Sequence, residues 1–190
     1  MTKKLWEASS AQKKNSFLRK YEEFISKKFN KNFNRKYENI LEWSIKNPEN
    51  FWNSIWDFSR IKGLKGKSKM KKSRIFHKNI FLPKSKLNFA ENLLSKNNQD
   101  KAITFISENG FREQRNWNKL NNNVSKISKF LKSIKIQKKD RIAAYLPNSI
   151  ETVEAFIASA SLGAIWSSCS PDFGTNGVIE RFSQINPKVL

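Results

Sequence analysis

Apolar residues recur at steps of three and four in the first sixty positions. Phe17, Leu18, Tyr21, Phe24 and Ile25 form one set, and Ile40, Leu41 and Ile45, with Ser44 among them, form a second after a polar break. This spacing predicts amphipathic helices, each burying one face. Asn47-Pro48 predicts that one helix stops and another starts there. Asn47 takes the N-cap and Pro48 the first helical position, where a missing N–H costs nothing. The helix that follows carries Phe51, Trp52, Ile55, Trp56 and Phe58, a stripe read as core.

Residues 63 to about 99 show little periodicity. Gly63-Leu64-Lys65-Gly66 breaks the helix, and the Lys-rich stretch over 63–74 predicts an exposed basic loop. Arg74 to Leu82 is expected to run extended as far as Pro83. Asn88 to Leu94 has a short helical pattern.

From Lys101 the period changes. Ala102 to Ile106 predicts a strand, and Glu108-Asn109-Gly110 a hairpin turn that returns through Phe111 to Arg115. Trp117, Leu120, Val124, Ile127, Leu131 and Ile134 mark an amphipathic helix. Arg141 to Leu146 is a nearly continuous apolar run, as expected of a strand buried on both faces and ended by Pro147. Asn148, with Glu151 three residues on, predicts a capping box opening a helix through Leu162. That helix has no charge beyond Glu154 and is rich in Ala, so it is expected to be nearly surrounded by protein. Gly163 closes it. A short strand over 164–168, a polar loop and a helix over about 175–185 follow.

Strands and helices that alternate with short connections predict parallel crossovers and an α/β sheet with helices on both faces. The fold class read from the pattern is therefore α/β. A helical N-terminal region, 1–99, precedes the first part of a mostly parallel α/β sheet subdomain, 100–190. Pro187 to Leu190 reads as the start of another strand, so the domain is expected to be incomplete and the chain a piece of a longer protein.

Charge complicates the picture. The chain of 190 residues carries a net +21, yet 34 of its 37 Lys+Arg and 12 of its 16 Asp+Glu lie in residues 1–140, leaving 141–190 at −1. The excess is mostly Lys interleaved with Asn and Ser, which reads as a solvated basic surface. A phosphate-reading face more often uses the planar fork of Arg. A basic nucleic-acid-binding module is the alternative from a different class. Hydrophobic residues at 38% suffice for a core and argue against wholesale disorder. No run approaches a membrane span, the start lacks a secretory apolar stretch, and one cysteine and one histidine cannot build a zinc site. A cytoplasmic protein is expected. His77 has no Ser, Cys or acidic partner nearby in sequence, and Cys169 reads as a small packing residue, so no catalytic residue is assigned.

The most informative stretch is Gly163-Ala164-Ile165-Trp166-Ser167-Ser168-Cys169-Ser170-Pro171-Asp172-Phe173-Gly174. It puts hydroxyls, a carboxylate and a permissive glycine after a strand, at the edge where open α/β sheets place ligands. With Ala143 to Asn148, Arg181 to Ile185 and Pro187 to Leu190, it resembles the acetoacetyl-CoA synthetase (acetoacetate–CoA ligase) family, within the adenylate-forming acyl-CoA synthetases. Leu5-Trp6, Trp43 to Trp52, Trp56 to Phe58 and Leu87 to Leu94 extend the resemblance over essentially the whole chain. Another short-chain acyl-CoA synthetase is the nearer alternative, but there a Gly-Gly-Phe-Ser-Pro type loop is expected where this chain has Ser170 to Gly174.

The resemblance implies the adenylate-forming enzyme fold and an acid–thiol ligase. Acetoacetate, ATP and CoA would be its substrates and Mg²⁺ its metal ion, with no nucleic-acid or membrane partner. It also implies that residues 1–99 are the acetyl-CoA-synthetase type of helical N-terminal region and 100–190 the start of the AMP-binding (adenylation) domain. Ser170, Pro171, Asp172, Phe173 and Gly174 become the candidate binding loop, near the path of CoA. The family's phosphate loop, ATP-ribose acid, magnesium-binding acid and catalytic lysine correspond to positions beyond Leu190. The 190 residues alone are therefore expected to be inactive.

Overall fold

The computed structural model describes residues 5–67 and 70–190. Contacts divide the chain into two compact units between Lys86 and Leu87.

The first unit is built on four helices: α1 (Ser10–Asn15), α2 (Phe17–Phe29), α3 (Tyr37–Lys46) and α4 (Pro48–Phe58). Ser9 and Gln12 form a reciprocal capping box on α1. Ser16 ends that helix, and its Oγ accepts from the Arg19 amide to start the next. Pro48 takes the first position of α4 as expected. Asn47, however, donates its Nδ2 back to the Trp43 carbonyl at 3.1 Å and makes no side-chain cap. Tyr21, Ile25, Phe33, Ile40 and Trp43 form the core, and Phe24, Phe29, Phe51, Ile55 and Phe58 pack around them. Many of the ring pairs meet edge-on, the arrangement that aromatic quadrupoles favour. Phe17, Leu18, Leu41 and Ile45 are exposed instead. On α3 the large Trp43, three residues after Ile40, takes the buried position that the pattern assigned to Leu41 and Ile45.

The stretch expected to be loop and then extended chain is more ordered than that. Leu64 and Lys86 exchange two backbone hydrogen bonds, of 2.7 and 2.8 Å. The strands β1 (Met70–Lys71) and β2 (Ile80–Phe81) pair antiparallel, with a 3₁₀ turn at Phe76–Lys78 between them. Asn79 organises that turn: its Oδ1 accepts from the Ser73 amide and its Nδ2 donates to the Phe76 carbonyl. Of the expected basic loop over 63–74, Ser68 and Lys69 lie outside the described residues.

The second unit begins with α5 (Phe89–Leu93) and a hairpin of β3 (Lys101–Ile106) and β4 (Arg112–Asn116), turned at Gly110 with φ +82°. This hairpin is a separate two-stranded sheet. Then come α6 (Trp117–Ser133), β5 (Arg141–Tyr145), α7 (Ile150–Ser161), β6 (Ile165–Cys169), a 3₁₀ turn at Pro171–Phe173 and α8 (Gly174–Ile185). β5 and β6 pair in parallel, with Tyr145 opposite Cys169. On the other side of β5, Lys188 donates to the Arg141 carbonyl at 2.8 Å. The Ala143 amide donates to Val189 at 2.9 Å, making a parallel bridge between Ile142 and Val189. β5 is thus central.

Alternation along β5 sends Ile142 to one face and Ala143 to the other. Ile142 joins Leu120, Val124, Leu131, Ile157 and Ala158 under α6 and α7. Ala143 and Cys169 pack with Val178 and Phe182 of α8. The expected two-sided burial of β5 follows. Within α7 only Glu151 is exposed. Its cap differs from expectation by one residue: Ser149, not Asn148, is the N-cap, and its Oγ accepts from the Thr152 amide. Two neighbouring side chains with short polar arms compete for that role, and backbone geometry selects Ser149.

Candidate functional site

β5 and β6 end level with each other because their register pairs Tyr145 with Cys169. The connections that follow both strands therefore leave the sheet at the same carboxyl edge. After β6 the chain makes a single 3₁₀ turn, in which the Phe173 amide donates to the Ser170 carbonyl at 3.2 Å. Gly174 then has φ +63° and ψ 165°, a region open almost only to glycine. A Cβ there would touch nothing within 4 Å, so the demand for glycine comes from the backbone itself.

The five predicted residues are thus contiguous on one exposed turn, with Ser170 half-buried and Pro171, Asp172, Phe173 and Gly174 open to solvent. Ser170 Oγ donates to Asp172 Oδ2 at 2.8 Å, which orients the carboxylate along the turn. Phe173 precedes α8 without a side-chain cap hydrogen bond, so the first-turn amides of α8 have no side-chain partner from the N-cap. Cys169 is buried against Ala143, Val178 and Phe182, a packing position.

Two contacts on this turn were not legible in the sequence. The Tyr145 hydroxyl, from the end of β5, donates to the Pro171 carbonyl at 2.8 Å. The Arg181 guanidinium lies 4.2 Å from the centre of the Phe173 ring, and one of its nitrogens donates to the Gly177 carbonyl at 3.2 Å. The i, i+4 spacing of Gly177 and Arg181 was a signal for the second hydrogen bond. Nothing in the sequence pairs Tyr145 with Pro171, because the sheet register alone brings them together.

Elsewhere in this unit Asn88 has a double role. Its Oδ1 accepts from the Glu91 amide at the start of α5, and its Nδ2 donates to the Ala160 and Ser161 carbonyls at 3.0 and 3.1 Å. One side chain therefore satisfies both the first turn of α5 and the last turn of α7. Arg115 collects Glu113, Glu151 and Glu154. The bond to Glu113 leads the interactions that raise the guanidinium pKa, against a lowering by burial. Among the described residues no three His, Cys, Asp or Glu side chains converge to hold a metal ion. No helix of the described residues is long and apolar enough to cross a membrane.

A parallel α/β subdomain with its polar turn at the carboxyl edge is the architecture of a ligand-binding α/β enzyme domain. The AMP-binding enzyme model matches residues 91–190, and the chain belongs to that family. Over 186 residues it is 34% identical to the acetoacetyl-coenzyme A synthetase of Rhizobium meliloti, covering 98% of this chain and 28% of that protein. The acetoacetyl-CoA synthetase of Xenopus tropicalis is 39% identical over 158 residues, covering 81% and 24%. The malonamoyl-CoA synthetase of Penicillium aethiopicum is 33% identical over 183 residues, covering 92% and 25%. The solved acetoacetyl-CoA synthetase from Streptomyces lividans superposes with a TM-score of 0.84 at 21% identity, covering 98% of this chain and 29% of that one. The adenylate-forming fold is the one expected. The chain spans about a quarter of the length of the curated relatives it matches.

Proposed function

We propose that this chain is the N-terminal part of a cytoplasmic acetoacetate–CoA ligase. Such an enzyme activates acetoacetate with ATP, as an acyl-adenylate with release of pyrophosphate, and passes the acyl group to the thiol of CoA with release of AMP. The observation that carries this reading is the 34% identity to an acetoacetyl-coenzyme A synthetase over 98% of the chain. In this reading the helical N-terminal region, 1–99, precedes the start of the AMP-binding domain, 100–190, and α5 packs with the latter.

The contribution of these residues is structural and positional. Parallel β5 and β6 hold the turn Ser170, Pro171, Asp172, Phe173 and Gly174 at the sheet's carboxyl edge, as one wall of the path taken by CoA. The exposed turn, its oriented carboxylate and the uncapped amides of α8 fit a polar substrate that carries phosphate and amide groups. ATP and Mg²⁺ fit differently. The chain has no glycine-rich phosphate loop, and among the described residues no three acidic, His or Cys side chains converge to hold a metal ion, so no catalytic step is assigned to it. Charge neutralisation at the transferred phosphate would fall to residues beyond Leu190.

The direct test is the reading frame after Leu190 together with substrate selectivity of the enzyme it encodes. A frame that continues to a Ser/Thr/Gly-rich loop ending in Lys, and a product that forms thioester from acetoacetate in preference to acetate or malonamate, are the expected results. Preference for acetate or malonamate would replace acetoacetate as the substrate. A stop codon directly after Leu190 in intact genomic DNA would remove the ligase reading. The 190 residues alone are expected to form no acetoacetyl-CoA.

A further inference from the structure

We propose that Tyr145 is a positioning residue for the candidate binding turn: its hydroxyl, from the last residue of β5, latches the Pro171 carbonyl and sets where Asp172 and Gly174 stand. This inference rests on the reading of Ser170 to Gly174 as the CoA-facing wall.

The geometry behind it has three parts. First, the turn is short of anchors. Ser170 bonds to Asp172 within the turn, and four of its five residues are exposed. Second, Gly174 adopts a conformation that L side chains avoid, so the chain swivels there between the 3₁₀ turn and α8. A turn placed next to such a swivel needs a contact from outside itself to have one position. Third, two contacts from outside are present, and they act at opposite ends. Arg181 covers the Phe173 ring from α8, while Tyr145 reaches the Pro171 carbonyl at 2.8 Å from the neighbouring strand. Of these two contacts among the described residues, the one from Tyr145 ties the turn to the sheet. Since Tyr145 stands opposite Cys169 in the parallel register, the latch transmits the position of the central strand directly to the turn.

Tyr145 is 43% exposed, so removing its hydroxyl takes nothing from the core and Tyr145→Phe is expected to fold. Two measurements on this variant test the proposal. Amide hydrogen exchange on the 190-residue chain reads the turn without any substrate. Segment 170–176 is expected to exchange roughly two- to tenfold faster, the equilibrium change expected for one net hydrogen bond, while 178–185 stays as it is. In the full-length ligase, KM for CoA is expected to rise by a similar factor. Formation of the adenylate, followed by pyrophosphate exchange without CoA, should be unchanged.

Unchanged exchange in 170–176, or equal acceleration through 178–185, overturns the latch. Faster exchange with an unchanged KM for CoA overturns the positioning role if Asp172→Ala raises that KM in parallel, and the reading of the turn then stands. If neither variant moves KM for CoA, the reading of the turn as a CoA wall has failed, and the positioning role falls with it.

Discussion

Arg115, at the end of β4, extends its guanidinium Nε to within 3.3 Å of Glu154 Oε1, a carboxylate in the middle of α7 that is only 3% exposed. The same oxygen accepts from Asn123 Nδ2 of α6 at 2.8 Å. The hairpin, α6 and α7 are therefore joined through one buried charge. A buried carboxylate is tolerable only while its partners remain, because desolvation costs several kcal/mol per ion.

Arg115→Leu is accordingly expected to destabilise the Leu87–Leu190 unit by about 3 kcal/mol, since it strands Glu154. Glu154→Gln keeps an acceptor for Asn123 and removes the charge, and about 1 kcal/mol is expected. Urea midpoints of the two variants check this ordering. Equal losses would show that Glu154 is not held chiefly by Arg115.

Tyr21 and Ser54 make a buried pair, with their hydroxyl oxygens 2.7 Å apart. Ser54 has a single hydroxyl proton and directs it to the Phe51 carbonyl, also at 2.7 Å, so Tyr21 is the donor within the pair. Burial pushes the Tyr21 phenol above its usual value, against a smaller lowering by Ser54. A raised pKa for a group that is neutral when protonated means that folding favours the protonated form. The stability it contributes is complete below the unfolded phenol value near 10 and is lost as pH rises through the folded value. The helical unit should therefore be labile in alkali, and Tyr21→Phe should flatten that loss. The measurement is melting temperature against pH from 8 upward for both proteins.

Asp57 has the opposite sign. Burial would raise its pKa, but hydrogen bonds and charge from Lys28 and Lys65 outweigh this and hold it below the usual carboxylate range. The Lys65 ammonium lies 2.5 Å from Asp57 Oδ1. The stability from a lowered carboxylate is present above the unfolded value and is lost as pH falls through the folded one. Lys65→Gln should move the Asp57 titration, followed by carboxyl NMR, upward. Because the group is partly exposed, the effect on stability should be small and weakened by salt.

Gly174→Ala forces an L residue into φ +63° and ψ 165°, and a loss of about 1–3 kcal/mol is expected although the added methyl meets no neighbour. Gly174→Val should cost more, because its branched side chain restricts the backbone further. In the full-length ligase, Gly174→Val and Asp172→Ala are expected to impair CoA-dependent turnover. Normal turnover by both would remove this turn from the CoA path.

The basic surface has its own test. Replacing Lys67, Lys69, Lys71 and Lys72 by Gln should leave melting temperature and ligase turnover nearly unchanged. DNA binding by the parent chain should be weak, independent of sequence and steeply lost with added salt, as counterion release requires. Tight, sequence-selective binding abolished by these changes would favour the nucleic-acid module over a solvated surface.

Much of this fold was legible in the order of residues because its cues are local. Pro48 opens α4, Asn109-Gly110 turns the hairpin, and the apolar run at Ile142–Ala144 is buried on both faces. Each depends on backbone preference or on periodicity within a few residues. The same holds for the turn at Ser170 to Gly174, whose position after a strand and whose glycine could be read directly. Choices among neighbours were harder. Ser149 rather than Asn148 caps α7, and Trp43 rather than Leu41 or Ile45 fills the core, since adjacent residues have nearly equal local claims and packing separates them.

By itself the sequence determined the alternation of helix and strand, the place of the polar turn and the family resemblance, because these are carried by spacing and by contiguous motifs. Only the tertiary structure decided that Tyr145 meets Pro171, that Arg115 meets Glu154 and that Asn88 closes the end of α7. These partners lie 26, 39 and 72 residues apart. Pairings at such separations are selected by strand register and helix packing, which depend on the whole folded unit and leave no periodic trace in the chain.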